Sequence, residues 1–300
     1  GNRLKLKNGG DIYEAYCGKW IGKFFNCFSA LFCYMSFVVM CGGANSTAME
    51  QWGLPNGAGA VILAVLVVVT AIAGLNGIVK TLGVLGPVII LLIIGVSLYS
   101  AINGWSNLGA GMEAVDTHKY TITQVGDGNP FASGASYGGF VILWFAAFLG
   151  GIGARHNKKE VNTGMILSTF AIFAVAAMCC IALIANIDMT WNAGVPALTL
   201  ANNIHPWLAE AFAVIIFIGI YTSACPLLWT GIRKLSNEGT SKYKWLTIVG
   251  GALGCVIACY VPYRPLLNVI YGLNGYLGFI LIAFMIVNDV RVWKRTDTKE

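Results

Sequence analysis

No Asp, Glu, Lys, Arg or His lies in the middle of any long apolar run of this chain. Ionisable groups inside membrane segments mark proton relays and charge-coupled pumps. Their lack argues against a relay built from these runs. It also argues against an intramembrane protease or metal hydrolase, which needs paired Asp or a His cluster. The three histidines, His118, His156 and His205, are far apart and fall in loops. The nine cysteines form no metal-type CxxC pair, and all but Cys17 lie in apolar runs. They read as reduced, small apolar packers. With no acid–base or nucleophile constellation, neither an enzyme nor a resident cofactor is expected. Charge is scarce as well: 11% of residues, against about 25% in soluble domains. The net charge of +6 does not point to nucleic acid, because its distribution follows a membrane.

Apolar residues make up 57% of the 300, and the mean hydropathy is +0.72. Eight runs reach or approach the ~20 residues needed to cross a bilayer: 20–44, 58–75, 82–102, 137–154, 164–187, 207–230, 245–262 and 266–287. The first has no clear stop before Gly53 and Pro55 and is free to continue to Glu50. The fold class expected is all-α, a polytopic membrane helix bundle forming one transmembrane domain. Of the 19 Lys and Arg, all but Lys119 and Arg264 fall on one side of the eight-span arrangement. The positive-inside rule then puts both termini in the cytoplasm. The other side carries Glu50, Glu113, Asp116, Asp127, Asp188 and Glu210. That is either an acidic mouth that gathers cations or ordinary solvated loops. The segment 103–136 reads as one long loop dividing the chain into three spans and five. No residue-level repeat stands out.

What remains for chemistry is hydroxyl, amide and backbone oxygen at helix breaks. Pro226 has no N–H, so it frees the carbonyl of Thr222 inside an apolar run. Thr222 and Ser223 beside it are either ion-facing oxygens or a repaired kink. Thr222 lies roughly 22 Å along its span at 1.5 Å per residue, in the inner half of the bilayer. The span 137–154 opens with Gly138-Gly139 and closes with Gly150, Gly151 and Gly153, around Ala146, Ala147 and Phe148. Glycine weakens a helix by about 1 kcal/mol relative to Ala. This span is either discontinuous, lining a substrate path, or packed closely through small residues. Gly83-Val84-Leu85-Gly86-Pro87 reads as a packing face or kink. Asn45 and Asn274 are two further polar residues, the latter flanked by Gly272 and Gly275 and open to a local break. Trp20, Trp105, Trp207, Trp229 and Trp245 sit where interfacial anchors belong.

Three passages carry a resemblance. They are Gly1-Asn2-Arg3-Leu4 with Ile12-Tyr13-Glu14, then Leu82-Gly83 with Gly86-Pro87, and Val195-Pro196-Ala197-Leu198 leading to Ile220-Tyr221-Thr222-Ser223-Ala224. Through them the chain resembles the YkvI-type family of bacterial membrane proteins, distant relatives of the amino acid–polyamine–organocation transporters with the LeuT-type fold. The resemblance implies ten core helices in two inverted five-helix repeats, of which these eight spans would be helices three to ten. The first repeat would continue to 102 and the second would occupy 137–290, with two N-terminal helices outside this chain. It makes 137–154 the sixth, broken helix. It makes 207–230 the eighth, whose paired hydroxyls hold an ion in sodium-coupled relatives. Leu143 to Phe148 is apolar where related proteins tend to carry polar residues.

The function implied is a secondary-transporter-like permease of the bacterial inner membrane for a small organic solute. Thr222 and Ser223 are candidates for Na⁺. Ala146, Ala147, Phe148, Gly150, Gly151 and Gly153 are candidates for the substrate path. The rival readings are a non-transporting sensor, as in germinant-receptor subunits, and an inactive fragment. The expected partners are the lipid bilayer, the solute, and a second copy or a partner subunit.

Overall fold

The computed structural model describes residues 11–73, 78–122, 129–155, 157–233, 235–237 and 239–297, and among them every regular element is a helix. In order these are α1 (Asp11–Trp52), α2 (Ala58–Ala73), α3 (Ile78–Asn103), a 3₁₀ turn (Trp105–Asn107) and α4 (Leu108–Asp116). Then follow α5 (Pro130–Arg155), α6 (Lys158–Ala185), α7 (Ile187–Thr190), α8 (Pro196–Ile204), α9 (Pro206–Arg233), α10 (Ser241–Tyr260) and α11 (Tyr263–Asp297). Each of the eight apolar runs is helical over most of its described residues. Five stretches, Ile12–Trp52, Lys158–Ala185, Pro206–Arg233, Ser241–Tyr260 and Tyr263–Arg291, are long and apolar enough to cross a membrane. The described part of α3 bends by 65° into the helix that ends at Asp116, and α2 is shorter at 16 residues. An all-helical chain with several such helices is a multi-pass membrane protein. Trp20, Trp105, Trp207 and Trp245 are all well exposed, as interfacial anchors are.

Several expectations change. The segment 103–136 is not one loop, since it holds α4 and the start of α5. The interval 188–206 likewise holds α7 and α8. The break that the resemblance implies in 137–154 is absent, and α5 is helical from Pro130 to Arg155. A glycine weakens a helix but removes no donor. Gly139 is spent instead on packing: a Cβ there would lie 2.6 Å from the Phe279 nitrogen of α11. No break surrounds Asn274 either, where α11 continues unbroken.

The chain divides into two compact units, and α1, α6 and α11 contribute a segment to each. The first unit comprises residues 1–33, 124–168 and 267–300. Its entry is a sharp reversal at Gly18, whose φ of 78° lies in the left-handed region that glycine accepts at least cost. The preceding arm folds back so closely that a Cβ on Gly22 would sit 2.6 Å from the Glu14 nitrogen. Tyr13, 1% exposed, donates to the carbonyl of Leu143 at 3.1 Å. Gly275 and Gly278 of α11 meet Ser136 and Gly139 of α5 backbone to backbone. Phe32, Phe140 and Tyr271 form an aromatic run beside that crossing.

The second unit comprises residues 34–123 and 169–266. Here α2 and α10 run antiparallel. Tyr243, near the start of α10, donates to the carbonyl of Ala71 near the end of α2. Asn56, just before α2, donates to the carbonyl of Cys259 near the end of α10. Between these ends Val68 lies against Gly251.

This exchange of ends exposes a repeat. Residues of α1–α2 and of α9–α10 correspond at a constant separation of 187. Trp20 and Trp207 are exposed, Gly22 and Ala209 buried, Lys23 and Glu210 exposed, and Phe25 and Phe212 buried. Tyr34 matches Tyr221, and Ser36 matches Ser223. Across the turn the same separation holds. Ala60, Leu63, Ala64, Val67 and Ala71 are buried, as are Thr247, Gly250, Gly251, Gly254 and Ala258. Val61, Ile62, Leu66 and Val69 face outward, as do Ile248, Val249, Leu253 and Val256.

Candidate functional site

The hydroxyl stretch of α9 belongs to the second unit. Thr222 is 2% exposed and donates its hydroxyl to the Gly219 carbonyl at 3.0 Å. This is the back-bonding to the preceding turn that threonine makes in membrane helices. It commits the proton and leaves the oxygen's lone pairs. Pro226 lies inside α9 without ending it, so the Thr222 carbonyl lacks its usual donor four residues on. Ser223 is half-buried. The stretch therefore combines a back-bonded threonine and a carbonyl without its helical donor with the half-buried hydroxyl of Ser223.

Beside it lies a partner that sequence reasoning missed. The hydroxyls of Tyr221 and Thr70 are 2.7 Å apart. Thr70 gives its own proton to the Leu66 carbonyl at 2.8 Å. With the Thr70 proton on Leu66, Tyr221 donates to Thr70, and the two hydroxyls link α9 to α2. The matching Tyr34 of α1 donates to the Gly250 carbonyl of α10 at 2.9 Å. Each tyrosine thus ties its helix to the short helix of the other pair. The signal was present as two Tyr-x-Ser triplets, Tyr34-Met35-Ser36 and Tyr221-Thr222-Ser223. The Ser36 hydroxyl is fully buried and has no hydrogen-bond partner among the described residues.

In the first unit, Ala146 is 2% exposed and packed, so it lines no open path. The side chains of Ala147, Phe148, Gly150, Gly151 and Gly153 lie outside the described residues, as do those of Gly83 to Pro87. Asn274 is fully buried. Its amide nitrogen donates to the Ile270 carbonyl, and among the described residues Oδ1 has no hydrogen-bond partner.

Three of the outer-side acids, Glu50, Asp188 and Glu210, are engaged. Glu50 accepts from the backbone N–H of Gly194 at 2.5 Å and of Val195 at 3.2 Å, at the start of α8. Glu210 accepts from Gln51 Nε2 at 2.9 Å and Trp52 Nε1 at 2.7 Å. Arg264 donates to the carbonyls of Trp191 and Ala193. Asp188 accepts from Tyr120, and that hydrogen bond holds the Tyr120 hydroxyl above its ordinary pKa. Tyr120 also stacks on Trp191 at 5.4 Å. These carboxylates fasten connecting segments to helix ends. Asp127 lies outside the described residues.

Asn45 is another fastener. Its amide donates to Asn56 Oδ1 and accepts from the Gly57 N–H, both at 2.8 Å, closing the α1–α2 turn. Among the described residues no cluster of His, Cys, Asp and Glu could hold a metal ion. No protein-family model, curated protein or solved structure matches the chain.

Proposed function

We propose that the chain is a secondary-transporter-like permease of the bacterial inner membrane that moves a small organic solute coupled to Na⁺. The observation that carries this reading is the antiparallel pairing of α2 with α10 between two register-matched helix pairs. Two antiparallel equivalents are related by a two-fold axis perpendicular to them. For membrane-crossing helices that axis lies in the membrane plane. Inverted-topology repeats of this kind are the common frame of secondary transporters, with sites near the midplane formed by oxygens of irregular helix. The YkvI-type and LeuT-type resemblance supports the same frame. So does the segregation of all but two Lys and Arg to one side, with both termini cytoplasmic.

Thr222 and Ser223 supply oxygens to Na⁺. The donor-spent hydroxyl of Thr222 and its proline-freed carbonyl are acceptor groups of the type a hard cation takes. Glycines 150, 151 and 153, with Ala147 and Phe148, line or hinge the solute path.

The test is uptake of a panel of radiolabelled solutes into proteoliposomes, with and without a Na⁺ gradient. At least one solute should accumulate only with Na⁺. Absence of uptake across the panel, together with ligand-induced stabilisation, would replace the permease by a sensor. Replacing Thr222 and Ser223 together with Ala should abolish the Na⁺ dependence, and unchanged coupling would remove their role.

A further inference from the structure

The reversal at Gly18 leaves a cleft in the first unit. Its volume is about 350 Å³, and Ala15, Tyr16, Cys17 and Gly18 line it on one side. Phe284, Val287, Asn288 and Arg291 of α11 line the other. Asn288 holds the two walls together, since its amide donates to the carbonyls of Ala15 at 3.0 Å and Tyr16 at 3.3 Å. Those carbonyls end the short arm and lose their helical donors at the bend. The remaining chemistry of the cleft divides in two. Arg291 presents an exposed guanidinium, while Phe284 and Val287 form an apolar wall. Neither carboxylate nearest in sequence, Glu14 or Asp289, is part of the lining. Lys19 and Lys23, both exposed, follow directly on the bend. Trp20, 83% exposed, stands between them as an interfacial anchor.

We propose that this cleft binds an anionic phospholipid, with the headgroup phosphate on Arg291 and an acyl chain along Phe284 and Val287. A guanidinium forks onto two phosphate oxygens, which a zwitterionic headgroup offers less freely because its own cation competes. Basic residues at the cytoplasmic end of membrane helices recruit anionic lipid in this way. A lipid here would bridge the folded-back arm and α11, adding to what Asn288 already does. The choice of leaflet rests on the orientation proposed above, whereas the binding chemistry does not.

Thermal unfolding of the full chain in detergent tests this, with dioleoyl-phosphatidylglycerol or dioleoyl-phosphatidylcholine added. The glycerol lipid should raise the Tm well beyond the choline lipid, and Arg291→Gln should erase that difference. Native mass spectrometry provides a second readout. Val287→Trp, which fills the cleft without touching a charge, should remove one retained phosphatidylglycerol. An equal Tm shift in wild type and Arg291→Gln overturns the proposal, as does full stabilisation by inorganic phosphate alone. Neither measurement involves flux, so a failed uptake assay and a failed lipid assay are told apart.

Discussion

The pair α1–α2 and the pair α9–α10 share the burial phase of α2 and α10 yet close their turns differently. The first turn spans five residues and is locked by Asn45, whose amide bonds Asn56 and Gly57. The second is seven residues long, and Thr240 caps α10 by accepting from the Tyr243 N–H. Where Gly59 in α2 lies against the backbone of α1, the matching residue in α10 is Leu246. Where α1 has Met35, α9 has Thr222, and only α9 carries a proline four residues further on. The pairs thus share one tyrosine hydrogen bond each, while the proline-freed carbonyl belongs to α9 alone. A common frame needs matched burial, whereas a binding stretch needs groups its counterpart lacks.

Exchanging residues between the pairs tests this division. The largest effect is expected from Gly59→Leu, which imports the residue of α10. Its Cβ would lie 2.6 Å from the Ala44 carbonyl oxygen and 2.7 Å from the Ala48 Cβ. Backbone cannot yield as a side chain can, so the loss should reach about 3 kcal/mol, read as the unfolding free energy in mixed micelles. A change below about 0.5 kcal/mol, within the range of neutral surface substitutions, would mean that α1 and α2 are not packed this closely.

Asn45→Ile, again importing the equivalent residue, should cost about 2 kcal/mol by stranding the buried N–H of Gly57. Hydrogen exchange at Gly57 should rise in step, and unchanged protection there would dissolve the proposed lock. Tyr34→Phe and Tyr221→Phe should be the mildest and nearly equal, about 0.6 kcal/mol each, as hydrogen bonds between membrane helices usually are. A large inequality between the two in the same assay would break the symmetry of the frame.

The two units differ in how readable they were. Tyr13 and Leu143 are 130 residues apart, and nothing in the composition of either neighbourhood announces their hydrogen bond. The Glu50 contact with Gly194 crosses 144 residues. Sequence alone left Glu50 and Glu210 as outer-side acids, open between an ion-gathering mouth and ordinary solvated charges. Their fastening role appears only once α8 and the end of α1 are brought together. The freed carbonyl of Thr222 was legible because a proline four residues downstream acts within one turn. The glycines of α5 left a break and close packing both open, because the contact that decides for Gly139 lies in α11, more than a hundred residues away.

The repeat escaped a reading by identity because packing constrains the phase of burial more than the residue type. Thr247 replaces Ala60, Gly250 replaces Leu63 and Gly254 replaces Val67, each pair equally buried. Gly254 leaves the room that Phe37 of α1 fills, its ring lying where a Cβ would go.

The sequence by itself determined that the chain is helical and belongs in a membrane. Hydrocarbon offers no partner to a backbone N–H or C=O, so a long uncharged apolar run has one stable form. Only the tertiary structure decided which faces meet, which acids become fasteners and which helix pairs are equivalent. Those outcomes depend on shape and on groups distant along the chain, and hydropathy carries no record of either.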